Sequence, residues 1–480
     1  MGGRKAGVVR FEKNRLSYTY ADSWREAPGS YPISLSMPLA AKEHSHTSIE
    51  PFLWGLLPDN EFILARWAQH FQVSPRNVFA LISRVGEDCA GAVQFVSRER
   101  LSELEEESTL PEPDWLSEAD VAHRLRLLKQ DASAWRTTGD TGQFSLAGAQ
   151  PKTALLLEGQ RWGVPSGRIP TTHILKPPTE GFDGHAENEH LCLRLARALG
   201  LPTAESEVQS FEDVVCIVVT RYDRVRMKDL AAAEAGRAAA KAAEAAMFAA
   251  GSEFDVARLV TTPASEAVAA AASAQAISKY AETTQISRAH QEDFCQALRV
   301  HPSRKYQNEG GPSPKDIVGL LRSHTKPAVS KNKMQGPEEK DLDTFLSALI
   351  FNWLIGGTDA HAKNYSILIG GNGLVRLAPL YDIASIFAYP SIDPYKAKLA
   401  MKVGDEYRLT RVGLAEWSKL AAELKLDAPT LIDRIRKMAS ELETQISFEV
   451  DAARKGGLNH SVLGRIESEI VERAKRIAAL

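Results

Sequence analysis

Cysteine is scarce in this chain: Cys89, Cys192, Cys216 and Cys295 are the four among 480 residues, and no two stand in a CxxC spacing. That argues against a disulfide framework and a thiolate zinc site, and three of the four sit among apolar neighbours as buried, reduced thiols do. Long apolar runs are missing too. The longest, around 345–357, is too short to span a bilayer and contains Asn352. Met1-Gly-Gly-Arg-Lys leads into no apolar segment of a secretory signal, and Ala6 stands where a myristoylation site prefers Ser or Thr. Neither sign of charge dominates: 58 Lys and Arg face 61 Asp and Glu, for a net charge of −3, which leaves no global nucleic-acid footprint. The basic clusters at 221–228 and 322–333 read as solvated faces or loops. The Walker A pattern, HExxH and GxSxG are absent, which removes the simplest signatures of P-loop, zinc-protease and serine-hydrolase chemistry. What remains is a cytoplasmic globular chain with no membrane partner, 44% apolar and 25% charged, long enough for two or three domains.

Four regions follow from pattern. Residues 1–100 read as mixed α/β, with short strands at Val8–Phe11 and Leu16–Tyr20 and a helical stretch from Phe52 to Phe71 broken at Leu57-Pro58-Asp59-Asn60. A polar acidic linker runs from Ser102 to Pro113. Residues 114–228 read as a sheet with helices: strands at Thr153–Leu157, from Trp162, at His173–Lys176 and at Val214–Val219, and an amphipathic helix from Ala186 to Leu199 closed by Gly200. Residues 229–285 are an alanine-rich insertion, expected to be an exposed or partly disordered helical segment. Residues 286–480 read as mainly helical, apart from one hairpin.

That hairpin follows the most informative stretch of the chain. Ile355-Gly-Gly-Thr-Asp-Ala-His-Ala-Lys-Asn364 places a carboxylate and an amide five residues apart beside His361. Tyr365–Ile369, a Gly-Gly-Asn-Gly turn and Leu374–Leu377 then form a hairpin pattern, and Leu380-Tyr381-Asp382 supplies a second acidic site. Protein kinases use this order: an Asp near the accepted hydroxyl, an Asn five residues on that binds Mg²⁺, then a metal-binding Asp. Phosphoryl transfer needs positioning and charge neutralisation, and Mg²⁺ prefers hard oxygen ligands. Asp359 is the candidate base, and Asn364 and Asp382 the candidate metal ligands. In isolation, an Asp-x-His-x-x-Asn string reads as a capped turn more readily than as a catalytic motif; the hairpin and Asp382 favour chemistry.

Other segments draw their meaning from order along the chain. Phe144-Ser-Leu-Ala-Gly-Ala-Gln-Pro-Lys152 is a small-residue loop whose backbone N–H groups could approach an anion; alone it reads as a plain loop. Lys176 lies in a strand downstream, where a kinase keeps its phosphate-gripping lysine. His185-Ala-Glu-Asn-Glu-His190 lacks the zinc order, and a carboxylate there, Glu189, suits an ion pair with Lys176 better.

Taken together the chain resembles the HipA family of toxin kinases from type II toxin–antitoxin modules. The segments that carry the resemblance are Gly55–Asn60, Ser145–Ala154, His173–Lys176, Asn188-Glu189, Arg221–Arg224, His290–Phe294, Lys305-Tyr306, Gly356–Asn364 and Pro379–Asp382, in the family's order over most of the chain. It implies an α/β N-terminal portion plus a mainly helical C-terminal portion, in a kinase-like bilobal architecture with ATP in the cleft between them. It implies a serine/threonine protein kinase using ATP and Mg²⁺, with aminoacyl-tRNA synthetases as characteristic targets. A small DNA-binding HipB-like antitoxin would be its partner, with DNA reached only through that complex. By matching position Asp359 is the catalytic base, Asn364 and Asp382 hold metal, and Ser145 is the autophosphorylated serine. The ATP-binding set is Ala147, Gly148, Ala149, Gln150, Pro151, Lys152, Lys176, Thr220, Arg221, Tyr222, His361 and Tyr381. The chain departs from the family where Thr220 replaces the glutamate before Arg-Tyr-Asp-Arg, in its longer alanine-rich insertion, and in lacking the usual first strand. The competing readings are a catalytically inactive HipA-like nucleotide- or antitoxin-binding regulator, and a DNA-associated regulator.

Overall fold

In the computed structural model, residues 1, 3–106, 111–134, 144–227, 286–324 and 337–480 are described. The alanine-rich insertion expected at 229–285 lies outside them. The N-terminal portion opens with an antiparallel sheet of β1 (Gly7–Glu12), β2 (Arg15–Tyr20) and β3 (Glu43–Ser45). Alternation in β2 buries Leu16, Tyr18 and Tyr20 on one face, against the helix His46–Gly55. The expected break between helices is real: Asn60 caps the helix Glu61–Phe71, its side chain accepting from the Phe62 and Ile63 N–H groups. The linker expected from Ser102 begins later, because the helix Arg98–Glu106 runs through its start. Ser97 accepts from the Arg100 N–H, Arg100 pairs with Glu87 and Glu103, and Leu104 is buried.

The middle of the chain forms a six-stranded antiparallel sheet of β4 (Asp114–Leu116), β5 (Thr153–Glu158), β6 (Arg161–Val164), β7 (His173–Lys176), β8 (Ser206–Phe211) and β9 (Val214–Thr220), in the order β4-β6-β5-β7-β9-β8. The valine-rich β9 lies between β7 and β8, as its nearly continuous burial requires. The helix His185–Ala198 packs on β8 and β9 and carries Glu189 beside Lys176 on β7. Two short strands, β10 (Arg224–Arg226) and β11 (Ile286–Arg288), pair at the base of the insertion.

Beyond residue 286 the structure is less helical than the sequence pattern suggests. A three-stranded sheet joins β12 (His290–Asp293) to the expected hairpin of β13 (Ser366–Gly370) and β14 (Leu374–Leu377), and β15 (Lys398–Val403) pairs with β16 (Glu406–Arg408). The His-Gln-Glu-Asp of β12 has no strand propensity; pairing of His290 with Ile369 and Asp293 with Ser366 makes it a strand. The remainder is helical. In Ala428–Lys455 the buried Leu431, Ile435, Met438, Leu442, Ile446 and Val450 recur at helical spacing and face the helix Val462–Ala478. This pair also braces the helix His185–Ala198, where Arg194 reaches Glu449 at 2.7 Å. Among the described residues no helix is long and apolar enough to cross a membrane.

Candidate active site

A cavity of about 640 Å³ separates the six-stranded sheet from the C-terminal portion. Lys176, at the end of β7, lines it. The ammonium donates to Glu189 Oε1 at 2.8 Å and Oε2 at 3.1 Å, and to Asp382 Oδ1 at 2.8 Å. Burial works against the Lys176 charge, but Asp382 and Glu189 more than offset it and raise its pKa. Burial would likewise raise Asp382, yet Lys176 and then Lys152 hold its carboxyl well below the usual range. Asp382 takes a left-handed backbone (φ 58°), uncommon for a residue with a Cβ. Leu380 pins it: its N–H donates to Pro202 O and its carbonyl accepts from Ala204 N, both at 2.8 Å. Asn188, beside Glu189, exchanges two bonds with the Ser385 backbone and ties the segment after Asp382 to the same helix.

Asp359 and Asn364 lie across the cleft on a loop that includes a short 3₁₀ turn at Ala362–Asn364. Asn364 Nδ2 donates to the Asp359 carbonyl at 2.8 Å, which leaves the amide oxygen as its acceptor. Tyr306 O–H donates to Asp359 Oδ1 at 2.6 Å. Burial raises the Asp359 carboxyl above its ordinary value, against the opposing effect of that hydrogen bond. His361 is pushed down to about 3 by burial, so its ring is neutral, and its Nδ1 has no partner among the described residues. Asn364 and Asp382 offer hard oxygens within one cavity, and no group of three His, Cys, Asp or Glu capable of holding a metal occurs among the described residues. That sparse donor set suits Mg²⁺, which takes one or two carboxylates and completes its shell with phosphate and water. It does not suit the zinc reading of His185 and Glu189, since Glu189 is committed to Lys176.

The small-residue loop curls over the same cavity. Gly148 has φ 108°, a backbone conformation that strains any residue with a side chain and favours glycine. Lys152 donates to Ala147 O at 2.7 Å, and burial followed by the Lys176 charge lowers its pKa to about 8. Gln150 Nε2 is buried without a partner among the described residues. Ser145 is 1% exposed, its hydroxyl donating to Leu56 O at 2.7 Å.

Thr220, Arg221, Tyr222 and Tyr381 also line the cavity, with the Tyr222 and Tyr381 rings 5.9 Å apart. Tyr381 O–H donates to Lys363 O, and its oxygen accepts from the Ser366 hydroxyl, each at 2.6 Å. The Arg221 side chain, however, turns away into a closed network with Asp223, Thr171, Asp88 and the Cys89 carbonyl, leaving backbone as its means of touching a ligand. The structure thus gathers every candidate residue around one cleft except for the Ser145 hydroxyl and the Arg221 guanidinium, which point into packing. Of three residues without an assigned role, Asp59 lines the cavity, Tyr306 bonds to Asp359 and Asn188 to the Ser385 backbone. Each lies inside a segment that carried the family resemblance, and only their contacts reveal what they touch.

Comparison with known proteins agrees over almost the whole chain. The HipA N-terminal domain model matches residues 1–96, and the HipA-like C-terminal domain model matches 144–261 and 234–446. The chain is 34% identical over 473 residues to "Putative kinase Y4mE" of Sinorhizobium fredii, covering 95% of each. It is 26% identical to the "Serine/threonine-protein kinase toxin HipA" of Shewanella oneidensis, covering 93% of this chain and 87% of that one. Its fold matches HipA in the solved Shewanella oneidensis complex of HipA, HipB and operator DNA, with a TM-score of 0.70 at 22% identity over 99% of this chain and 97% of that one. The chain is a homologue of HipA-family kinases and belongs to the HipA family.

Proposed function

We propose that this protein transfers the γ-phosphate of ATP to a serine or threonine hydroxyl of a protein. The observation that carries the reading is Lys176, held within 3.1 Å of both Glu189 and Asp382 in the wall of the cleft. A kinase uses such a lysine to grip phosphates, with a helix carboxylate orienting it. Asp359 accepts the proton of the attacking hydroxyl, and Tyr306 fixes the orientation of its carboxylate. Asn364 and Asp382 would hold Mg²⁺, which supplies charge neutralisation at the phosphates. The Ala147–Lys152 loop, neutral His361 and Thr220–Tyr222 line the same cavity, where they would border the nucleotide.

The family membership supports a finer proposal: a toxin of a type II toxin–antitoxin module, acting on an aminoacyl-tRNA synthetase and restrained by a HipB-like antitoxin through which it meets DNA. The solved HipA complex with HipB and operator DNA supports the partner assignment. Autophosphorylation at Ser145 is part of the proposal. Its hydroxyl donates to Leu56 O in a buried contact, so a phosphate carrying about two negative charges could not be accommodated there and would displace the ATP loop.

The test is phosphosite mass spectrometry after incubation with Mg-ATP, with and without purified aminoacyl-tRNA synthetases, beside Asp359→Ala. Phosphate on Ser145 or on a synthetase is expected in the unmodified chain, and a loss of roughly 10²–10⁴-fold in the variant. Equal transfer by both proteins would remove Asp359 from its role. No transfer by either would favour the inactive-regulator reading.

A further inference from the structure

Asp59 belongs to the N-terminal portion, in the turn before the helix Glu61–Phe71. Its contacts nevertheless converge on both sides of the cleft. Oδ2 accepts from Lys305 Nζ at 2.9 Å, and Oδ1 accepts from Lys363 Nζ. Lys305 immediately precedes Tyr306, whose hydroxyl reaches Asp359, and Lys363 immediately precedes Asn364. The Asp59 N–H donates to the Gly148 carbonyl at 3.2 Å, and Pro58 forms a β-bridge with Gly148. A single residue therefore ties together the small-residue loop, the Tyr306 segment and the Asp359–Asn364 loop.

We infer that Asp59 is a positioning residue through which the N-terminal portion holds the catalytic loop in register with the nucleotide loop. The inference rests on the kinase reading above. Asp59 touches no reacting atom; it acts through the two lysines. Burial would raise its carboxyl, but the Lys363 and Lys305 ammoniums outweigh that and hold it down to about 2, so the clamp is charged at neutral pH. Lys363 is almost fully buried, with 4% of its side chain exposed. Losing its carboxylate partner would leave a desolvated ammonium that must move to find water or another acceptor. Because Asn364 follows it directly, that movement is transmitted to the cleft.

The test uses the full chain carrying Asp59→Asn, Lys363→Met or both. The transfer rate at saturating Mg-ATP, corrected for the nucleotide-competent fraction, is expected to fall ~10–100-fold in Asp59→Asn. The KM for Mg-ATP should stay within about two-fold, since an orienting contact is lost and not a ground-state one. A merely structural role would lower the competent fraction and leave the corrected rate unchanged, which overturns the inference. The double variant should be no worse than the worse single one, whereas additive losses would also overturn it. Hydrogen exchange supplies an arm independent of activity: faster exchange at both 302–306 and 359–364 is expected in Asp59→Asn, and unchanged exchange refutes the clamp. If the unmodified chain transfers no phosphate, the kinase reading fails and exchange alone decides the clamp. If Asp59→Asn does not fold, Lys305→Met releases one arm, and unchanged exchange at 302–306 is then the refuting result.

Discussion

Two clusters of paired charges behave as opposites, one closed around Asp88 and one open around Lys176. In one, Asp88 of the N-terminal portion meets Arg221, Arg224 and Arg288, while Asp223 pairs again with Arg221 and Arg224; no side chain among the five exceeds 9% exposure. Thr171 and the carbonyls of Cys89 and Gly91 take up further donors and acceptors. In the other, Lys176 joins Glu189 and Asp382, and Asp382 is 35% exposed toward the cavity. A closed cluster is a joint: it fixes the N-terminal portion to the end of β9 and leaves almost nothing to offer a ligand. An open cluster of the same chemistry is a candidate site, because one carboxylate keeps an edge free for a cation. Burial and charge alone do not distinguish the two; the open edge does.

Substitutions should separate the joint from the site. Lys176→Met is expected to lower phosphoryl transfer by about 10²–10³-fold, as removal of a preorganised charge does, while Tm moves little; a rate within a few-fold of the unmodified chain would place the site elsewhere. Asp88→Ala should do the reverse. It leaves buried guanidiniums without their shared acceptor and should cost ~3–5 kcal/mol in denaturant unfolding, with the rate per folded molecule preserved. A third variant probes the boundary. Asp59 has its pKa held down to about 2 in the folded chain, against ~3.9 in an unfolded one. Its stabilisation is therefore complete above about pH 4 and lost as pH falls toward 2, on the order of 2 kcal/mol. In Asp59→Asn this part of the acid-induced loss should vanish from stability measured between pH 5 and 2.5. The smallest effect is expected from deleting residues 232–280. Because β10 and β11 pair across the base of the insertion, nucleotide affinity should stay unchanged in calorimetric titration, and a large loss would make the insertion part of the cleft.

The legible parts of the sequence were those whose chemistry is local. Strands β5, β7 and β9, the break before the helix Glu61–Phe71, the hairpin of β13 and β14 and the order of Lys176, Asp359, Asn364 and Asp382 all follow from side-chain pattern and spacing. Strand β12 was hidden because His-Gln-Glu-Asp is a strand only when β13 pairs with it. The helix Arg98–Glu106 was hidden inside an acidic stretch that resembles a linker until Arg100 meets Glu87. Arg221 was read into the ATP-binding set because its segment matched the family; that its side chain also completes the joint was not legible.

The sequence by itself determined which groups are available: an aspartate and an asparagine five residues apart, a later aspartate, a strand lysine and a helix glutamate, in the order on which the proposed phosphoryl transfer rests. Only the tertiary structure decided which of the chain's many charges share a cavity and which seal an interface. Glu189 stands 13 residues from Lys176 and Asp382 206 residues from it, while Asp59 reaches Lys363 across 304. Contacts at such separations depend on how sheets and helices pack, because local propensity acts over a few residues and places nothing that far along the chain.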